Sequence, residues 1–166
     1  MSRLMITSDL HLGHNNIHKY RTQFSTAEDH HEFVFENLAM NIKKADSVIF
    51  LGDIAFDIKW LERLEKIKCR KKTLILGNHD TERLQMGQLM FAFDSIHSLY
   101  SKRNCWFSHC PIHPGEFRER TLNIHGHTHD RLVQDDPGPD LSYFNVCVER
   151  TDYKPISFAE ILECTS

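Results

Sequence analysis

The chain has 166 residues, of which 40% are hydrophobic and 26% are charged, and its formal net charge is -3. This length and apolar content predict one domain, residues 1–166, with a sizeable core. The weak negative charge gives no general attraction to nucleic acid, and no apolar stretch approaches the roughly 20 residues that cross a bilayer.

The first half of the chain alternates between short apolar runs, which are typical of buried strands, and helical patterns. The predicted strands are residues 4–6, 48–51 and 74–76. Helices are predicted for residues 26–44 and 59–66, and a third is expected to begin near Thr81. Because strands that alternate with helices usually lie parallel, their carboxyl ends should meet at one edge of a sheet.

The second half of the chain is richer in strands. Apolar runs predict strands at residues 105–107, 122–124 and 144–148. Ser157 and Glu160 have the spacing of a capping box, so a short helix is expected near the end of the chain.

Polar motifs rich in Asp, Asn and His follow the predicted strands. In chain order they are Asp9-x-His11, Gly52-Asp53, Gly77-Asn78-His79-Asp80, Ser108-His109 and Gly126-His127-x-His129. Carboxylate, amide and imidazole donors suit manganese, iron or zinc better than copper(I) or an iron–sulfur cluster. The set is large enough to hold two divalent metal ions. Asn78 supplies a neutral oxygen, which keeps such a site electropositive and favours an anionic substrate such as a phosphate ester.

The ordered motifs resemble those of the calcineurin-like metallophosphoesterases, whose signature is D-x-H, G-D, G-N-H-D/E, S-H-x-P and G-H-x-H. Ser108-His109-Cys110-Pro111 fits the fourth motif, and residues 8–17 are similar to the opening of small bacterial and phage members. Each motif alone arises often by chance, but the ordered set is specific. The resemblance implies an α/β fold, a four-layer α/β/β/α sandwich with two central mixed sheets.

The resemblance also implies a role for each motif residue. One metal ion would be held by Asp9, His11, Asp53 and His129. The other would be held by Asp53, Asn78, His109 and His127. Two such ions supply a bridging hydroxide that attacks phosphorus in line. Manganese is the first expectation for both ions, with iron, zinc or nickel as alternatives, and His79 would act at the leaving group as a general acid or a charge stabiliser.

One position departs from the family pattern. Many members carry a second Asp three residues after the metal-binding one, and it orients the histidine of the G-N-H-D motif. Here that position is Phe56, and Asp57 comes one residue later. Two interpretations stay open: Asp57 serves His79 through a shifted turn, or the acid matters less in this chain.

The loop after the first motif is placed to contact substrate, and we expect His14 and Asn15 to do so. Family members act on many phosphate esters with the same metal core, and we favour a nucleotide or nucleic-acid substrate here. No obligate protein partner and no membrane association are expected. The five cysteines lack C-x-x-C spacing and the N-terminus lacks a signal-peptide pattern, which predicts a cytoplasmic protein with reduced thiols.

Two other functions remain open. Relatives that lose metal ligands serve as non-catalytic binding scaffolds, but every ligand of the family pattern is present here. The basic run from Lys66 to Lys72 is also compatible with binding along a nucleic-acid backbone, although such runs more often form a solvated helix end. Beside the motifs, we expect exposed placement of His113 and His125. Small hydrophobic packing is expected for Cys105, Cys110 and Cys147.

Overall fold

The computed structural model describes residues 2–135 and 137–165. The described strands are β1 (Leu4–Thr7), β2 (Ser47–Phe50), β3 (Lys71–Ile75), β4 (Ser95–His97), β5 (Tyr100–Lys102), β6 (Cys105–Ser108), β7 (Leu122–His125), β8 (Gln134–Asp135), β9 (Gly138–Pro139), β10 (Tyr143–Asn145) and β11 (Ile156–Ser157). The described α-helices are α1 (Ala27–Asn41), α2 (Ile58–Glu65), α3 (Met86–Ala92) and α4 (Phe158–Cys164). Short 3₁₀-helices cover Ile17–Lys19, Pro114–Glu116 and Val148–Arg150.

Two mixed sheets form the centre of the molecule. The first has the strand order β11-β1-β2-β3-β4, and all of its neighbours pair in parallel except β11 and β1. The second has the order β10-β7-β6-β5, in which only β5 runs antiparallel to its neighbour. Strands β8 and β9 form a separate hairpin. The predicted α/β fold with two central mixed sheets is confirmed.

Along each strand of the first sheet, successive side chains point to opposite faces and pack into two separate hydrophobic cores. On one face, Met5, Phe50 and Leu74 pack with residues of α1 to α3, including Trp60 and Leu61. On the other face, the core is formed with the second sheet and α4 by Ile6, Ile49, Ile75, Phe107, Ile124 and Phe158. The first sheet is therefore covered on both faces, which explains the near-continuous apolar runs of its strands.

The helix boundaries follow local capping chemistry. Helix α1 begins with a capping box between Thr26 and Asp29, and α4 begins with the predicted box between Ser157 and Glu160. The expected start of a helix near Thr81 is wrong, because α3 begins only after Gln85. Helix α1 is the longest of the described helices, with 15 residues, and none of them is long and apolar enough to span a membrane.

The strand predictions missed one edge strand of each sheet, β4 and β5. Strands β4 and β5 have only three residues each and are partly polar, so neither has an apolar run. The strand expected at 144–148 ends at Asn145, because the chain turns into the 3₁₀-helix at Val148–Arg150.

Candidate metal centre

The five motifs lie at the carboxyl ends of five strands and meet where the two sheets face each other. The first three motifs follow β1, β2 and β3, and the last two follow β6 and β7. Backbone hydrogen bonds join the loops: Asp9 N donates to Gly52 O at 3.0 Å, and Gly126 N donates to His109 O at 2.8 Å. The structure thus brings the predicted ligand residues together.

Most of the predicted ligands have a left-handed backbone conformation. The φ angles lie between 50° and 68° for Asp9, His11, Asp53, His127 and His129. Residues other than Gly adopt this region at a cost, and they cluster at functional sites where the surrounding structure enforces it. The loops therefore hold these side chains in orientations that a relaxed strand end would not give.

The glycines of the second and third motifs allow two loops to touch. Gly52 has φ 86°, and a Cβ placed on it would lie 2.6 Å from the backbone nitrogen of Gly77. A Cβ on Gly77 would collide with the carboxylate of Asp53. No larger residue fits either position without moving the loops, so these glycines set the position of Asp53.

The carboxylate of Asp80 ties the same two loops together. It is 1% exposed. It accepts hydrogen bonds from the backbone N–H groups of Asp53 at 3.1 Å, Ile54 at 2.8 Å and Gly77 at 2.7 Å. The last residue of the third motif is therefore a structural acceptor that fixes the loop carrying Asp53.

Asp9 and His11 present buried polar atoms that lack partners. Oδ2 of Asp9 accepts hydrogen bonds from Ser8 Oγ, His127 N and Cys147 Sγ. Oδ1 of Asp9 and both ring nitrogens of His11 are buried without a hydrogen-bond partner among the described residues. Oδ1 lies 3.7 Å from Nε2 of His11. Since leaving such groups unpaired is costly, these atoms fit a cation between them.

Nearby donors keep the Asp9 carboxylate ionised despite its burial. Burial alone would raise the pKa of Asp9, but the interaction with His11, the charge of His109 and the hydroxyl of Ser8 outweigh it. The resulting pKa lies well below the ordinary value of 3.8. The carboxylate is therefore charged and ready to bind a cation at neutral pH.

His129 lies beside His11 and is oriented by a partly buried carboxylate. The two rings stack with centroids 5.3 Å apart, and Nδ1 of His129 donates to Glu149 Oε1 at 2.8 Å. Glu149 also pairs with Arg21 at 2.7 Å. The Glu149 carboxylate raises the pKa of His129. Because Nδ1 carries the proton, Nε2 is left as a donor for a metal.

A second group of donors converges beside the first. Nε2 of His109 lies 2.9 Å from Asn78 Oδ1, 3.2 Å from His127 Nδ1 and 3.4 Å from Asp53 Oδ2. Nδ1 of His109 donates to the carbonyl of Leu51 at 2.7 Å, so Nε2 is the nitrogen turned to the other donors. The close approach of three donor atoms to one nitrogen fits a shared cation.

Nearby carboxylates favour the protonated, positively charged form of His109 in this second group. Burial would lower the pKa of His109, but Asp53 and Asp9 outweigh burial and raise it to about 9. Asp53 Oδ2 also lies 3.9 Å from Nε2 of His11, so this oxygen faces both donor groups. Among residues 2–135 and 137–165, three sets of His, Cys, Asp or Glu donors lie close enough to share a metal ion: Asp9 with His11 and His129, Asp9 with Asp53 and His109, and His109 with Cys110 and His127.

His79 borders these donors and is held by a residue that the sequence reasoning missed. Its Nδ1 donates to Glu82 Oε1 at 2.7 Å, and its Nε2 lies 4.0 Å from Asp53 Oδ2. The alternative that Asp57 serves His79 is wrong, because Asp57 Oδ1 accepts from Trp60 N and caps α2. The i,i+3 spacing of His79 and Glu82 was the available signal.

Two further expectations about neighbouring residues are corrected. His125 is 1% exposed rather than at the surface, because β7 is an interior strand of the second sheet. Cys110 is exposed rather than packed among apolar side chains, because β6 ends two residues before it. Cys105 and Cys147 are buried as predicted, and His113 is exposed as predicted.

An open cleft of about 650 Å³ adjoins the donors. Its lining includes His11, His14, Tyr20, Arg21, His79, His129, Arg131, Glu149 and Tyr153. His14 therefore faces the space next to the site, whereas Asn15 is exposed on the adjoining turn and is not part of this lining.

The basic run from Lys66 to Lys72 lies away from the motifs. Lys71 opens β3 at the strand end opposite the motifs, and the nearly buried Lys72 donates Nζ to Glu65 O.

Comparison with known proteins gives concordant matches over nearly the whole chain. Residues 2–155 match the family model described as calcineurin-like phosphoesterase. An uncharacterized protein of Methanocaldococcus jannaschii is 27% identical, over 98% of this chain and 91% of the relative. The gene 66 protein of Mycobacterium phage L5 is 28% identical over 80% of each chain. The crystal structure of a protein of unknown function from Aquifex aeolicus matches with a TM-score of 0.76 and 26% identity, over 99% of this chain and 100% of that one.

Proposed function

Because the chain belongs to the calcineurin-like phosphoesterase family, we propose that it is a metal-dependent enzyme that hydrolyses a phosphate ester. One observation carries the proposal: Asp9 and His11 present buried, unpartnered donor atoms next to Asp53, where a divalent cation would satisfy them. Charged and imidazole donors of this kind match the preferences of manganese, iron and zinc.

We propose two metal positions with Asp53 between them. The first would be held by Asp9, His11, Asp53 and His129. The second would be held by Asp53, Asn78, His109 and His127. Asp53 is assigned to both because its Oδ2 faces His11 on one side and His109 on the other. When bound, two divalent ions supply an activated nucleophile at neutral pH and neutralise charge on the phosphoryl group.

His79 is the residue of this chain that would act on the leaving group. Glu82 holds the Nδ1 proton, which turns Nε2 toward the space beside Asp53. The imidazole is 37% exposed at the border of the cleft, so a substrate oxygen can reach it. With the ring protonated at both nitrogens, Nε2 would donate its proton, or a hydrogen bond, to the departing oxygen.

We favour a nucleotide or nucleic-acid substrate, with manganese as the metal and the cytoplasm as the compartment. The cleft of about 650 Å³ has the size of a small-molecule site. Tyr20, which is 77% exposed, and Arg131 line this cleft, and we assign them to contacts with a base and a second phosphate. His14 lines the same cleft and remains the proposed substrate contact, with Asn15 beside it.

The experiment compares the hydrolysis of bis-p-nitrophenyl phosphate and p-nitrophenyl phosphate by metal-stripped protein refilled with manganese. Diester turnover that is lost in Asn78→Ala supports the proposed phosphodiesterase. The matched control is Asn104→Ala, which removes an exposed amide from the turn before β6 and should leave turnover unchanged. Turnover of the monoester alone would redirect the substrate proposal to phosphatases, and no turnover of either compound would favour a non-catalytic scaffold on this fold.

A further inference from the structure

Cys110 places a thiol beside the donors of the second proposed metal position. It directly follows His109 at the end of β6, and it is exposed. Its Sγ and one ring nitrogen each of His109 and His127 all lie within 4.8 Å of one another. The thiol is therefore part of a three-donor group rather than an isolated surface cysteine.

The two imidazoles of this group are the ones that converge on Asn78 and Asp53. Nε2 of His109 is within 3.4 Å of Asn78 Oδ1, His127 Nδ1 and Asp53 Oδ2. His109 and Asp53 are 4% and 2% exposed, so this side of the group is shielded from water. A sulfur at its open side adds a soft donor to two nitrogens and two oxygens.

We propose that Cys110 is a thiolate ligand at the second metal position, which replaces the expectation of manganese at that position by a preference for thiophilic divalent ions such as zinc, cobalt or ferrous iron. A thiolate strengthens binding of these ions far more than that of manganese, because softer ligands select softer metals. As the metal–sulfur bond forms, the thiol releases its proton to solvent. This inference rests on the proposed function, since it assumes a metal ion held by Asn78, His109 and His127.

The chain offers a matched control for this thiol. Cys164 is also exposed, but it ends α4, outside every donor group described above. Cys147 is buried and donates its Sγ–H to Asp9. Substitution of Cys164 by Ser therefore removes an accessible thiol without touching the proposed site.

The test is a titration of the metal-free protein with Co²⁺, followed by absorption spectroscopy. Cobalt d–d bands in the visible range report binding, and a thiolate-to-cobalt charge-transfer band in the near ultraviolet reports a sulfur ligand. Wild type and Cys164→Ser should show both, and Cys110→Ser should keep the d–d bands and lose the charge-transfer band. A charge-transfer band that persists in Cys110→Ser, or d–d bands alone in wild type, would overturn the proposal.

Alkylation by iodoacetamide gives a second readout that is independent of activity. Bound Zn²⁺ should slow the modification of Cys110 at least about tenfold while that of Cys164 is unchanged, because the metal occupies the thiolate that would react. Equal rates at Cys110 with and without zinc would contradict the proposal. If manganese supports turnover but zinc does not change the alkylation rate of Cys110, only the thiolate ligand is rejected. If the protein neither binds cobalt nor turns over substrate, the metal site of the proposed function is rejected as well.

Discussion

Glu82 accepts a hydrogen bond from Nδ1 of His79 at 2.7 Å, within the single loop that follows β3. In many family members the corresponding carboxylate comes from a neighbouring loop, at the position that Phe56 fills here. The phenyl ring of Phe56 instead stacks on His11, with centroids 5.6 Å apart. This chain therefore supplies the orienting group from a different element and keeps Nε2 of His79 turned toward Asp53.

Replacing Glu82 by Gln is expected to lower kcat about tenfold with little change in KM or metal content. The amide cannot fix the Nδ1 proton as a carboxylate does, and positioned proton donors contribute roughly 10²- to 10⁴-fold. Steady-state kinetics on bis-p-nitrophenyl phosphate measures the effect, with the exposed Glu119→Gln as control. In a His79→Ala background the same change should have no further effect, and an additive loss would contradict the pairing.

Replacing Glu149 by Gln is expected to weaken metal binding about 10- to 100-fold. Glu149 fixes the Nδ1 proton of His129 and is itself held by Arg21, so its loss frees the ring to rotate or to change tautomer. Calorimetric titration of metal-free protein with Mn²⁺ gives the affinity. Glu163→Gln, at an exposed position of α4, is the control, and equal affinity of the Glu149 variant and wild type would exclude an orienting role.

Replacing Asp80 by Asn is expected to lower the free energy of unfolding by about 2 kcal/mol, because hydrogen bonds to a buried charged acceptor are among the stronger ones. The amide NH₂ would face either the backbone N–H of Ile54, or those of Asp53 and Gly77, and leave them unpaired. Urea unfolding measures the loss. The exposed Asp152→Asn should stay within about 0.5 kcal/mol of wild type, and a similar result for Asp80→Asn would contradict its structural role.

The pair of Arg3 and Asp46 should make stability depend on acid pH. The hydrogen-bonded guanidinium of Arg3, helped by the backbone N–H of Lys43, lowers the pKa of Asp46 from 3.8 to about 2. The folded state therefore favours the charged carboxylate, and this stabilisation is present above pH 3.8 and is lost as the pH falls toward about 2.

At neutral pH, the free energy of unfolding of Asp46→Asn should be about 1 to 2 kcal/mol lower than that of wild type. The difference should narrow as the pH falls below 3.8. Urea unfolding of both proteins at a series of pH values checks this. A difference that is constant with pH would show that lost packing, rather than the ionised carboxylate, causes the effect.

The sequence predicted the central strands and the meeting of the motifs because both depend on local patterns. Val48, Ile49 and Phe50 form an unbroken apolar run, as expected for a strand covered on both faces. The edge strands β4 and β5 escaped prediction because pairing with a neighbour, rather than burial of an apolar run, defines them.

The finer features of the site depend on three-dimensional contacts that the spacing of residues along the sequence does not determine. Spacing in the sequence does not exclude Asp57 as the partner of His79; the start of α2 shows that Asp57 is a helix cap, and Glu82 pairs with His79 instead. The burial of His125 follows from the place of β7 between two strands, and the exposure of Cys110 follows from the end of β6.

The measurement that tests the central claim most directly is the metal content of refilled protein, determined by elemental analysis for wild type, Asp53→Ala and His79→Ala. Because Asp53 faces both donor groups and His79 belongs to neither, wild type and His79→Ala should each bind about two ions per chain. Asp53→Ala should lose most of both ions. Full metal content in Asp53→Ala, or an equal loss in the two variants, would contradict a dinuclear site centred on Asp53.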